Sequence, residues 1–157
     1  MPARNERGIA RRVEADGALV CSARTLWRGL GPDGPNDENA FLAAFQLASS
    51  LNRTENYAEA LELLRERAPG AQRALGPDHE LTLCLRRTLG SSLITNARVK
   101  TDISYLIEAE TILEDVLRRA RRVFGESHPD TKHTEEKLVF ARHFKASVEE
   151  FESREES

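Results

Sequence analysis

Cysteine, glycine and proline are scarce in this sequence, and long apolar runs are absent. Two cysteines, Cys21 and Cys84, occur among 157 residues, which is too few for a disulfide framework and favours a reducing compartment. No apolar run reaches the roughly 18 residues that a membrane-spanning helix needs, and no apolar core of a signal peptide is present. The sequence therefore predicts a cytosolic or nuclear protein with no membrane partner, and we assign it to the cytoplasm.

The sequence also lacks the motifs that carry most catalytic chemistry. It has no glycine-rich phosphate loop and no nucleophile elbow, and Ser91 and Ser92 lie inside a predicted helix without an obvious base. His128 and His133 are five residues apart, which is not the spacing of two metal ligands on one helix face, and no cysteine lies near them. We therefore predict that the chain is not an enzyme, has no metal site and needs no cofactor.

The net charge of −3 gives no reason to expect nucleic acid as a partner, although the charges are unevenly spread. Residues 1–28 carry six arginines against three acids, whereas residues 145–157 carry five glutamates against two basic residues. Such ends are typical of solvated caps, and partner-binding tails are the alternative. For the one basic run, residues 118–122, a solvated outer face is favoured over a phosphate-binding patch.

One pattern of residues recurs three times along the chain. A Glu-Ala pair precedes a Leu-Gly or Phe-Gly pair, and the distance from alanine to glycine is 16 residues each time. The three copies are Ala15 with Gly31, Ala60 with Gly76, and Ala109 with Gly125. Successive glycines are 45 and 49 residues apart, so insertions are confined to the first half of a repeat. A fixed offset at this period predicts a stack of helical repeats, in which each unit contacts only its neighbours.

The apolar periodicity divides the chain into repeats. The predicted units are a flexible start at 1–8, a half repeat at 9–29, repeats at 30–74 and 75–123, a capping helix at 127–152 and an acidic tail at 153–157. Within them we predict helices at about 37–52, from about 57, at about 80–95 and at about 103–123. Pro69 predicts a kink or break in its helix. Residues 97–102 predict an unusually long turn.

Two turns carry a more specific signature. Residues 124–131 read Phe-Gly-Glu-Ser-His-Pro-Asp-Thr, and residues 75–82 read Leu-Gly-Pro-Asp-His-Glu-Leu-Thr. Matching pairs in the first helices are Leu47-Ala48, Leu89-Gly90 and Leu138-Val139. In these residues the chain resembles the tetratricopeptide repeat, specifically its kinesin-light-chain-like form. The resemblance implies an all-α, right-handed solenoid of antiparallel helix pairs, with about two full repeats between flanking half repeats.

The resemblance also implies where a partner would bind. In this family the first helices of the pairs line a concave groove, on the side away from their Leu-Ala packing positions. The predicted groove residues are Phe45, Ser49, Asn52, Arg53, Arg87, Ser91, Thr95, His133, Glu136 and Phe140, with Leu42, Cys84 and His143 beside them. The chain would then be a non-catalytic interaction module that binds a peptide or helix of a partner protein.

Alternatives to a peptide groove remain open at this point. Arg53 and Arg87 would either pair with a carboxylate of the partner or lie solvated without a ligand. Self-assembly into a homo-oligomer is the alternative function. It would use exposed end helices that carry Trp27, Phe144, Val148 and Phe151.

Overall fold

The computed structural model describes residues 38–157, which form five helices and no strand. The helices are α1 (Glu38–Arg53), α2 (Tyr57–Leu75), α3 (Glu80–Lys100), α4 (Ser104–Phe124) and α5 (Pro129–Glu155). Each helix packs on the next along the chain. The predicted all-α stack of helix pairs is therefore confirmed. The predicted flexible start at 1–8 and half repeat at 9–29 lie outside the described residues.

The two turns between repeats have the same construction. Gly76 and Gly125 follow α2 and α4 with positive φ angles of 96° and 88°, a conformation that residues with a Cβ rarely adopt. Three residues later, the Nδ1 atoms of His79 and His128 accept hydrogen bonds from the backbone N–H groups of Leu81 (3.1 Å) and Asp130 (3.2 Å). Both histidines therefore have a structural role in these turns, because each caps the helix that follows it.

The helices form two layers that differ in spacing. The backbones of α1 and α3 approach each other closely, as do those of α3 and α5, whereas α2 and α4 make no such approach in the described part of the chain. The first helices of the pairs therefore form the tighter layer, and the stack curves towards them. The core between the layers consists mainly of buried leucine and alanine, including Leu64, Leu85, Leu93, Leu106 and Leu113.

Gly90 lies where α3 and α4 approach each other closely. A Cβ atom built at Gly90 of α3 would lie 2.7 Å from Cγ and 2.8 Å from Cδ2 of the buried Leu113 in α4. Distances this short are not tolerated between carbon atoms, so only glycine fits here without rearrangement. Ala48, the matching residue of α1, is also completely buried.

Of the predicted kink or break at Pro69, the break is wrong, because α2 continues from Tyr57 to Leu75 with Pro69 inside it. Proline removes one backbone hydrogen bond from a helix interior. Here its ring lies on the exposed side of α2, between the buried Ala68 and Ala71. Packing of these alanines against neighbouring helices holds α2 helical across the proline, which local sequence could not reveal.

The predicted long turn at 97–102 is also wrong. The turn between α3 and α4 is residues 101–103, the same three-residue length as the 54–56 turn between α1 and α2. The inserted residues instead lengthen the helix pair, so that α3 runs to Lys100 rather than ending near residue 95. Gly90 of α3 and Ala109 of α4 are 19 positions apart in the sequence, whereas Ala48 of α1 and Ala60 of α2 are 12 apart, which is a difference of seven residues. Seven residues are about two helical turns, so the apolar faces stay in phase.

The last helix extends past its predicted end near residue 152. α5 reaches Glu155, so most of the predicted acidic tail at 153–157 is helical. Leu138 and Ala141 of α5 are buried in the core, while Phe144 and Val148 pack against it and are partly buried. Of the end-helix residues proposed for self-assembly, Phe151 remains 63% exposed, and Trp27 lies outside the described residues.

Candidate binding groove

A cleft of about 410 Å³ lies between α3 and α5 on the first-helix layer. Five of the ten predicted groove residues line it: Ser91, Thr95, His133, Glu136 and Phe140. The helical period explains this grouping, since residues four apart on α3 and three or four apart on α5 share a helix face. The structure therefore brings together half of the predicted residues at one place.

A second, smaller recess of about 290 Å³ lies between the amino-terminal halves of α1 and α3. Phe45, Leu42 and Cys84 line it, together with the capping residue His79. Burial raises the pKa of the Cys84 thiol, which therefore stays protonated at neutral pH and is a poor nucleophile. This recess is an apolar depression at the other end of the same layer.

The cleft presents two cations that have no ion-pair partner among the described residues, Arg98 and Lys137. His133 lies beside them, and its pKa is below the ordinary value because of desolvation and because of the nearby charges of Arg87 and Lys137. The imidazole is thus neutral at neutral pH. Glu136 is the only acid in the lining, and its Oε2 is 4.0 Å from Nδ1 of His133.

The Arg87 side chain is not available to a partner protein, because it forms an ion pair within the chain. Its NH1 lies 2.6 Å from Oδ1 of Asp130 in the first turn of α5, and the Arg87 side chain is only 15% exposed. The hydrogen bond from Arg87 holds the pKa of Asp130 below its usual range. The interpretation of Arg87 as an anchor for a partner carboxylate is therefore wrong; it joins α3 to α5.

The remaining predicted residues lie on α1, away from the cleft. Asn52 donates a hydrogen bond from Nδ2 to Oγ of Ser92 (3.0 Å) and so ties α1 to α3. Arg53 is exposed and donates from NH2 to Oγ of Ser50 (3.1 Å). Ser49 is half-buried. None of these three residues lines the cleft or the recess.

Sequence reasoning missed three lining residues of the cleft, Ile94, Arg98 and Lys137. Arg98 was assigned to an inserted turn, and its position on α3 became evident only when α3 proved to extend to Lys100. Ile94 and Lys137 follow from the helical period, because they lie three residues after Ser91 and four after His133.

The basic run of α4 is neutralised by acids of the same chain. Arg119 and Arg122 donate hydrogen bonds to Asp78 at 2.8 and 2.6 Å, and Arg121 donates to Glu135 at 2.9 Å. Arg118 donates to Asp115. The run thus ties α4 to the turn before α3 and, through Arg121, to α5, which favours a structural outer face over a phosphate-binding patch.

Two further searches concern only residues 38–157. Within this range, no group of three or more His, Cys, Asp and Glu side chains is arranged to hold a metal ion. None of the helices in the same range is both long enough and apolar enough to span a bilayer.

The fold and the groove define the class of this protein as a helical-repeat protein built from stacked helix pairs. The family model of the tetratricopeptide repeat matches residues 46–81 and 97–130. No curated protein and no solved structure gives a significant match to the chain. The chain contains tetratricopeptide repeats at these two places, and repeats of this family generally mediate interactions between proteins.

Proposed function

We propose that this chain binds an extended peptide of a partner protein in the cleft between α3 and α5. The observation that supports this proposal best is the composition of the cleft. One concave site is lined by an exposed aromatic ring, a buried aliphatic side chain, two hydroxyls and two cations that have no ion-pair partner within residues 38–157. Such a mixture of apolar surface and a few polar anchors is typical of peptide-binding sites.

The apolar part of the cleft would hold a side chain of the peptide. Phe140 is 52% exposed, and its ring centroid lies 6.2 Å from that of Phe144, so its orientation is supported from one side. Ile94 is buried in the opposite wall. An aliphatic or aromatic residue seated between them would remove apolar surface from water on both partners.

The charged part of the cleft would select an acidic residue next to that apolar one. Arg98 and Lys137 are unpaired among the described residues, and His133 is neutral at neutral pH. A carboxylate of the peptide would form ion pairs with both Arg98 and Lys137. The pair with Arg98 would be bidentate if the carboxylate and the guanidinium lie in one plane. Glu136 would disfavour a second acid at its end of the cleft.

Peptide selection followed by affinity measurement tests the proposal. Peptides selected from a random display library on the full chain should combine an apolar residue with an acid, and their binding can be followed by fluorescence anisotropy. We expect Arg98→Glu and Lys137→Glu each to weaken binding about tenfold or more, a cost of about 1.4 kcal/mol. Phe140→Ala should weaken it similarly.

Matched controls separate the cleft from general charge and surface effects. Arg73→Glu reverses an exposed arginine on α2, on the other layer, and Val99→Ala removes an exposed apolar side chain of α3 that is not in the cleft lining. Both controls should bind as the unaltered chain does. Selected peptides that bind the cleft variants and the controls equally would contradict the proposal.

We also propose the kinesin-light-chain-like subtype and a non-catalytic, cytoplasmic role. The subtype is supported by the Gly-His turns, since His79 and His128 cap their helices in the same way. The protonated thiol of Cys84 and the neutralised arginines of α4 are consistent with a role other than catalysis or nucleic-acid binding.

A further inference from the structure

The last helix carries an apolar face that no described helix covers. Val139 and Phe140 are 47% and 52% exposed, and they line a shallow depression with Glu135, Glu136 and His143. We call this surface the end face. The matching residues of the earlier first helices, Ala48 and Gly90, are buried because a second helix packs over them. Val139 is exposed because no described helix follows α5.

The sequence of the amino-terminal segment has apolar residues at positions that are exposed in α2 and α4. Counted from the repeated alanine, Val13, Val20 and Trp27 occupy the places of Ala58, Arg65 and Gln72 in α2 and of Ile107, Glu114 and Arg121 in α4. All six counterparts in α2 and α4 are exposed. Residues seven apart lie on one side of a helix, so the sequence predicts a continuous stripe along residues 9–28.

Charge complementarity connects the stripe with the end face. Six arginines against three acids surround the stripe in residues 1–28. Glu136 borders the end face, as does Glu135, which accepts a hydrogen bond from Arg121, and five glutamates occur in residues 145–157. Opposite charges around two apolar surfaces favour their association over the pairing of like surfaces.

Length and position agree with this pairing between two molecules. A helix of about 20 residues is roughly 30 Å long, and the 27 residues of α5 span roughly 40 Å, so α5 offers enough surface. The repeat phase places residues 9–28 before α1, whereas α5 is at the other end of the stack and has no close backbone contact with α1. The partner is therefore a second copy of the chain.

We propose that residues 9–28 of one copy dock on the end face of another copy, so that molecules assemble head to tail. The contact is heterologous, since the two surfaces are different, and each molecule keeps one free surface of each kind. Assembly therefore continues beyond a dimer, into a ring or an open chain. This proposal does not depend on peptide binding in the cleft.

Sedimentation velocity on the full chain tests the proposal, from about 1 µM to about 200 µM. The average mass should rise with concentration past that of a dimer and fall again in about 1 M NaCl, where charges are screened within a few ångströms. Val139→Lys and Trp27→Glu should each raise the dissociation constant at least about tenfold. Gln72→Glu, at the place in α2 that matches Trp27, is the control and should assemble normally.

Mixing the two variants gives the sharpest result. The Val139→Lys protein keeps an intact stripe, and the Trp27→Glu protein keeps an intact end face. In an equimolar mixture, the stripe of the first can therefore dock on the end face of the second, and no other intact contact remains. The mixture should form a dimer and nothing larger. A chain that stays monomeric at every concentration, or a mixture that stays monomeric, would overturn the proposal. Val13→Glu repeats the test if Trp27→Glu loses helicity.

The same variants distinguish this proposal from the proposed function. Val139 does not line the cleft between α3 and α5, so Val139→Lys should leave peptide affinity unchanged. Loss of assembly with intact peptide binding would support head-to-tail docking alone. Intact assembly in Val139→Lys would contradict the docking proposal whatever the peptide does.

Discussion

The contact between Gly90 and Leu113 predicts that Gly90→Ala destabilises the unaltered protein but stabilises the Leu113→Ala protein. In Gly90→Ala, the new Cβ would lie 2.7 Å from Cγ of Leu113, which is completely buried and cannot move away freely. Overpacking of this kind costs about 1–3 kcal/mol. Replacement of glycine by alanine inside a helix gains about 1 kcal/mol. We therefore expect a net loss of about 0–2 kcal/mol of folding stability.

Removal of the opposing side chain should reverse that effect. Leu113→Ala deletes the three atoms that the new Cβ would meet and should cost about 2–5 kcal/mol by itself. In that background Gly90→Ala meets no clash and fills part of the cavity, so it should stabilise the protein by about 1 kcal/mol. The coupling energy of the pair should therefore be about 1–3 kcal/mol.

Urea unfolding followed by circular dichroism measures all four proteins of this cycle. Ser91→Ala is the control, since it lies next to Gly90 on α3 and introduces no clash. If Gly90→Ala stabilises the unaltered protein as much as it stabilises Leu113→Ala, the close approach of α3 and α4 at this point is refuted.

Three further predictions follow from other contacts. Partial burial opposes ionisation of Asp115, but hydrogen bonds from Arg86 and Arg119 outweigh it and lower its pKa from 3.8 to about 2. Ionised Asp115 therefore contributes on the order of 2 kcal/mol to folding stability above about pH 4, and this contribution is lost as the pH falls through about 2. If the Asp115→Asn protein lost as much folding stability between pH 6 and pH 2.5 as the unaltered protein does, this prediction would be contradicted. Asn96→Leu should cost about 1–3 kcal/mol in urea unfolding, because buried Nδ2 donates to the carbonyls of Tyr57 (3.1 Å) and Ser92 (2.8 Å); an unchanged midpoint would argue against these bonds. Deletion of residues 98–100 should cost about 1–3 kcal/mol, since it removes helix rather than turn; unchanged stability would show that the extended tip is not packed.

The sequence predicted the features that depend on local chemistry and periodicity. The positive-φ glycines and capping histidines lie in the turns where the motifs predicted them, because a turn of four residues is set largely by its own residues. Five groove residues meet in one cleft because the helical period aligns them on one face of α3 and one face of α5, and the repeat stacking brings these two helices together. Gly90 occupies the small-residue position of the repeat motif, and Leu113 lies over it.

The features that the sequence could not predict depend on contacts between distant residues. Arg87 looked available to a ligand until Asp130, 43 residues away, proved to be its partner. Proline at 69 predicts a break in an isolated helix, but packing of Ala68 and Ala71 overrides this tendency. The extended tip of α3 and α4 has polar residues that also suit a turn, and only the pairing of the two helices distinguishes these possibilities.

Site-specific photo-crosslinking of a bound peptide shows whether the cleft between α3 and α5 is the binding surface. A photoreactive amino acid at position 133 lies in the cleft between α3 and α5, and the same group at position 73 lies on the exposed side of α2. We expect a selected acidic peptide to crosslink from position 133, excess unlabelled peptide to prevent this, and position 73 to give no product. Crosslinking from position 73 without crosslinking from position 133 would contradict the assignment of the cleft as the binding surface.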